Sequence, residues 1–289
     1  MAASNPNGSR NTFLCFLTIF LPLWSLANIV QLQQWLSPDW AVQLLMWSPG
    51  VAALLTMLLR GIPLRKIGWR PGSVKVLLAG YGLPLLAATV LYVGLAAAGL
   101  ITLNFGALQQ EVSRALGAQL SPILIFVITG TVAFLFGLLP ALGEEIGWRG
   151  FLTPLLRSEH SALKTSLIVG VIWAAYHYPG LLLGEYHGQG NRWLELSLFT
   201  VMILAMSVIM TCLRERSASV WPAAIFHASH NCFLQAWYGP MTVQDADSAF
   251  WAGEFGVGMA VVYSVLAIGM VWSQKRKVVV STERVGALV

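Results

Sequence analysis

The chain has 289 residues, of which 57% are hydrophobic and only 10% charged. A soluble domain carries nearer a quarter charged residues, so this composition excludes an ordinary water-soluble enzyme and points to an integral membrane protein. The formal net charge of +5 is no nucleic-acid footprint, because the Lys and Arg residues sit in short stretches between apolar runs, where they orient helices.

Scanning for runs of about 20 apolar residues predicts spans over residues 12–31, 40–59, 74–102, 121–143, 165–183, 194–213, 218–236 and 252–273. In the first run, Arg10, the apolar stretch from Phe13 and Ser25-Leu26-Ala27 resemble a signal peptide. The apolar character continues through Ile29 and Val30, so the run is read as a span. The third holds Gly80, Gly82 and Pro84 and is expected to be tilted or broken. The connector 103–120 contains Gln109-Gln110-Glu111-Val112, which suits a short surface helix. Cys15, Cys212 and Cys232 match no disulfide or zinc spacing. The tail from Ser273 is polar and basic and is expected to be disordered.

With the N-terminus inside, all of the 17 Lys and Arg residues except Arg114 and Arg192 fall on the inner side or at its edge. That bias predicts both termini in the cytoplasm. The expected fold is therefore all-α: a polytopic integral membrane protein, one domain over 1–289, built as a bundle of about eight transmembrane helices. Membrane lipid is an expected partner and nucleic acid is not.

Unusual polar chemistry is expected between residues 144 and 231. The uncharged run 121–143 ends on Glu144 and Glu145, which places Glu144 at the cytoplasmic end of the fourth span. Charged groups inside a membrane cost roughly 2.5–3.5 kcal/mol on insertion scales and are functional candidates by default. Glu145 and Arg149 stand i,i+4 in the favourable order for an ion pair. Glu144 lies about 100° further round the helix, so one glutamate is left for chemistry. Trp173 and His177 share a helix face, as do His227 and Asn231. Each has a plain structural reading: an ion pair, a core histidine, interhelical glue. His230 is read as structural or supporting. The conjunction favours function, because these groups fall on three separate spans of an apolar chain.

A carboxylate and a histidine facing one water form a general-base system for amide hydrolysis. His227 and Asn231 could hold the oxyanion, each such donor being typically worth about 2.7–4 kcal/mol. No serine or cysteine nucleophile is needed. Glu144, His177 and His227 also make an N,N,O set that suits catalytic zinc, although no His-Glu-x-x-His occurs. A metal-free glutamate mechanism with no cofactor is preferred.

Three motifs stand in order: Glu144-Glu145-Ile146-Gly147-Trp148-Arg149, Trp173-Ala174-Ala175-Tyr176-His177, and His227-Ala228-Ser229-His230-Asn231. Together they resemble the CAAX prenyl endopeptidase family of the Ras-converting-enzyme type, grouped with bacterial Abi or CPBP membrane proteases. The second motif usually begins with Phe, which Trp173 replaces. The resemblance implies a catalytic core over residues 120–236. Within it Glu144 and His177 would activate water, His227 and Asn231 would form the oxyanion hole, and Glu145, Arg149 and Trp173 would support the site. It implies an intramembrane endopeptidase of a bacterial inner membrane acting on a lipidated or membrane-embedded peptide, and the charge bias sets the expected active site toward the cytoplasmic side. The alternatives are a non-catalytic immunity or scaffold protein and a proton-coupled transporter.

Overall fold

The computed structural model describes residues 6–286, with side chains described from Gly8 to Ser273. The long helices are α1 (Pro6–Leu32), α2 (Pro38–Leu59), α3 (Val74–Ala97), α8 (Ala162–Leu183), α9 (Arg192–Ser217) and α13 (Val257–Gly286). A seventh long rod, fourth in chain order, is assembled from α5 (Pro122–Ile128), a π-helical turn Thr129–Ala133, α6 (Phe134–Glu145), a second π-helical turn Ile146–Leu152 and α7 (Thr153–Arg157). Residues 221–241 are helical throughout, as α10 (Trp221–Asn231), a π-helical turn Cys232–Tyr238 and α11 (Gly239–Met241). Two short helices, α4 (Phe105–Leu116) and α12 (Ala246–Trp251), lie in connectors. No strand element occurs among the described residues, which hold one isolated bridge, Leu103 to Thr242.

Six helices are long and apolar enough to cross a membrane. The two remaining expected spans fall on residues 221–241 and on the shorter apolar part of α13, Val257–Ser273. Large apolar side chains such as Ile123, Phe136, Leu86 and Ile268 point outward. That is the pattern expected where lipid, not water, covers the surface. Start signals are local: Pro38 and Pro122 stand in the first turn, and the Ser121, Ser161 and Asn191 side chains cap backbone N–H groups.

Two expectations are corrected. The third span runs unbroken from Val74 to Ala97 with Pro84 inside it. Gly80 lies against Pro222 of α10, so packing against a neighbour holds the helix through the proline. The tail continues α13 as helix to Gly286. Side chains beyond Ser273, and so Lys275, Arg276, Lys277 and Arg284, lie outside those described.

Hydrogen bonds define the two ends of the bundle. At one end, Val220 N–H donates to Gly68 O (3.0 Å), Trp221 Nε1 to Trp69 O (2.8 Å) and Arg214 to Lys66 O (3.2 Å). Arg60, Arg65, Lys66, Arg70, Lys75, Arg157, Lys164 and Arg216 gather at this basic end. At the other, Val243 N–H donates to Thr102 O (2.9 Å), and Gly253 N–H donates to Tyr92 Oη (2.9 Å). Arg114 and Arg192 lie there.

Between the ends, α2 crosses the rod of α6 at very short range. A Cβ on Gly143 would lie 2.8 Å from Trp47, and one on Gly147 would lie 2.7 Å from Pro49 Cβ. Gly50 abuts the Gly143 carbonyl. Two glycines four apart let membrane helices approach closely. Here they bracket Glu144 and Glu145 and hold both against the middle of α2.

Candidate active site

Glu144 and Glu145 end α6 and are buried, at 1% and 0% exposure. Their partners differ. Trp173 Nε1 donates to Glu144 Oε2 at 2.6 Å, and Trp148 Nε1 donates to the same oxygen at 3.1 Å. The other oxygen, Oε1, has only a long contact from the Tyr176 hydroxyl at 3.5 Å. Oε1 is therefore the atom with capacity left for a water.

Glu145 instead accepts from Arg149 at 3.0 Å and contacts His227 Nδ1 at 3.1 Å. The Arg149 guanidinium is also stacked 4.4 Å from the centre of the Trp173 ring, a cation–π arrangement. Trp173 thus ties the two carboxylates together: its N–H serves Glu144, while its face covers the cation that neutralises Glu145.

Both site histidines are held through Nδ1. His177 Nδ1–H donates to the Trp173 carbonyl at 2.8 Å. A carbonyl only accepts, so the neutral ring has its lone pair on Nε2. His227 is held by Glu145 and meets the Trp173 ring edge-on at 5.2 Å. It donates from Nε2 only when both nitrogens carry protons. Neither Nε2 has a protein hydrogen-bond partner among the described residues.

These groups meet in a cavity of about 400 Å³. Its lining includes Glu144, Tyr176, His177, His227 and Asn231, so the structure brings all four expected catalytic residues to one space. Glu145, Arg149 and Trp173 pack behind it.

A wall of the cavity was not foreseen. Glu254, in the connector before α13, receives bonds from Tyr186 (2.6 Å), Gln235 (3.0 Å) and His230 Nε2 (3.0 Å). His230 Nδ1 meets the Tyr263 hydroxyl at 2.9 Å. Burial alone would raise the Glu254 pKa, but bonds from His230, Tyr186 and Gln235 outweigh it and hold the carboxyl at about 2. Burial and the nearby Glu254 charge push the Tyr186 phenol well above its ordinary value. Polar chemistry therefore extends past residue 231. Glu254 stands as an acidic residue within the predicted span 252–273, the same signal that singled out Glu144, but no polar partner at helical spacing in its own segment drew attention to it.

Two site expectations change. Glu144 is not at the end of a span. The rod Pro122–Arg157 has 36 residues, and Glu144 lies about 20 Å from its Arg157 end at 1.5 Å per residue. Nor does the cavity face the basic loops: its remaining lining residues, such as Asn28, Gln31, Leu45, Gly180 and Glu254, belong to the opposite end. Arg149, counted among the inner-side charges, is fully buried, and its expected ion pair with Glu145 is formed.

Among the described residues no three His, Cys, Asp or Glu side chains are placed to hold a metal. In the Glu144, His177 and His227 set, Glu144 Oε2 and both Nδ1 atoms are engaged by the protein, which leaves Glu144 Oε1 and the two Nε2 atoms toward the cavity.

Fold and site together define a multi-pass helical membrane protein with paired carboxylates and two anchored imidazoles around a buried cavity. The motif resemblance is shown by two comparisons. Residues 126–233 match the family described as "Type II CAAX prenyl endopeptidase Rce1-like". Over 96 residues the chain is 36% identical to the CAAX prenyl protease 2 of Methanococcus maripaludis, a match covering 31% of this chain and 35% of that protein. The chain thus spans about a third of the length of that curated relative.

Proposed function

We propose that this protein is an endopeptidase of the bacterial plasma membrane, hydrolysing a peptide bond in a membrane-associated substrate without a metal. A lipidated peptide is one form such a substrate takes, after the printed name of the relative. The observation that carries the reading is the convergence of Glu144 Oε1, both free Nε2 atoms and Asn231 on one cavity.

In this reading a water bound at Glu144 Oε1 loses a proton to that carboxylate as its oxygen attacks the scissile carbonyl carbon. The C–O bond forms and the carbonyl oxygen becomes an oxyanion, which accepts from Asn231 and from His227 Nε2–H. His177 Nε2 shuttles the proton to the leaving nitrogen, and the C–N bond breaks to give a carboxylate and an amine. Microscopic proton transfer of this kind contributes about 10²–10⁴-fold. Glu145 and Arg149 keep His227 oriented and neutralise one another.

The test is mass spectrometry of membrane-anchored peptides incubated with the purified protein in lipid nanodiscs. New termini that appear with wild type and vanish with His177→Ala support hydrolysis. Glu144-dependent flux into proteoliposomes with no new termini supports a transporter. Host function retained in Glu144→Ala with His177→Ala supports a scaffold.

A further inference from the structure

We infer that the catalytic cavity is entered from the non-cytoplasmic face of the membrane, so that the peptide arrives from outside rather than as a cytoplasmic lipidated tail. Three observations carry this. First, apart from the catalytic residues, the cavity lining is drawn from one end of the bundle. Asn28 and Gln31 come from the last turns of α1, Val42, Leu45 and Met46 from the first turns of α2, and Gly180 from the end of α8. Tyr186, Glu254 and Phe255 come from connectors at that same end.

Second, the opposite end is closed. A 3-10 turn, Leu64–Ile67, tucks the fully buried Ile67 against Gly150. Arg214 donates to the Arg149 and Lys66 carbonyls beneath it. Third, the closed end bears Arg60, Arg65, Lys66, Arg70, Lys75, Arg157, Lys164 and Arg216, against Arg114 and Arg192 at the open end. Short loops rich in Lys and Arg stay in the cytoplasm, so the open end faces away from it.

The lining chemistry agrees. The cavity presents Glu144, Glu254 and the amides of Asn28, Gln31, Asn231 and Gln235, with no Lys or Arg among the described lining residues. A free C-terminal carboxylate would meet two buried carboxylates and no cation there. An internal, neutral or cationic peptide segment suits it better. This deepens the hydrolase reading and rests on it for the identity of the occupant.

The test is cysteine labelling with a membrane-impermeant maleimide in a bacterial host, with the unaltered chain as background. Gln189→Cys reports the open-end connector, Gln31→Cys the cavity wall, and Ser158→Cys the basic end. The first two should react in intact cells and the third only after the membrane is broken. Reaction of Ser158→Cys in intact cells, or protection of Gln31→Cys while Gln189→Cys reacts, overturns the inference. A membrane-impermeant peptide should likewise be cleaved by right-side-out vesicles and not by inverted ones; the reverse also overturns it. Labelling as expected with cleavage from neither face refutes the hydrolase reading and leaves the orientation standing.

Discussion

Replacing Trp173 by Phe isolates one hydrogen bond. The indole N–H donates to Glu144 Oε2 at 2.6 Å, the shortest contact that carboxylate makes, while Trp148 donates at 3.1 Å and Tyr176 at 3.5 Å. Phe retains an aromatic face for Arg149, now 4.4 Å from the Trp173 ring, but donates nothing. Hydrogen bonds to charged groups contribute about 1.5–3 kcal/mol. At about 1.4 kcal/mol per tenfold, kcat/KM should fall by roughly 10- to 100-fold if the bond positions Glu144 for catalysis. The smaller ring also leaves a void, so the thermal midpoint should drop modestly. Both are read on purified protein, by cleavage of a quenched membrane peptide and by thermal unfolding. A variant with kcat/KM within twofold of wild type would refute the view that this indole sets the Glu144 carboxylate.

Other perturbations test neighbouring parts. Gly147→Ala should destabilise by about 1–3 kcal/mol through overpacking, because its Cβ would meet Pro49 at 2.7 Å; an unchanged thermal midpoint contradicts this. Arg149→Met should be more severe, about 3–5 kcal/mol, since it strands the Glu145 charge; Glu145→Gln combined with it should recover part of the loss. Glu254, held near pH 2 against an ordinary 4.5, contributes stability that is fully present above pH 4.5 and lost as the pH falls toward 2. The stability gap between wild type and Glu254→Gln should therefore be constant at neutral pH and close between those values in acid titrations. A zinc chelator should leave turnover unchanged, and loss of activity reversed by zinc would overturn the metal-free reading.

The polar conjunction was legible in the sequence because Glu144, His177, His227 and Asn231 are conspicuous against apolar runs and have helical spacings. Their depth was not. A hydropathy scan ends the span at the first charge, whereas Glu145 is neutralised by Arg149 and the helix runs on through a π-helical turn to Arg157. Pairing in three dimensions is invisible to a residue-by-residue scale. Trp173 was placed at the site by its motif, but nothing in the sequence says where its indole N–H, or that of Trp148, points. The bond from His227 to Glu145 joins residues 82 positions apart. Glu254 acquires its role only where a connector folds back onto α10, although Gly143 and Gly147 did carry a spacing signal for the close helix crossing.

The most direct test of the account is single-turnover cleavage by purified Glu144→Gln, a change that keeps the side chain's shape and removes its basicity. The account predicts a loss of about 10²–10⁴-fold with binding of the peptide and the thermal midpoint little changed. Cleavage at a rate near that of the wild type would show that some other group activates the water.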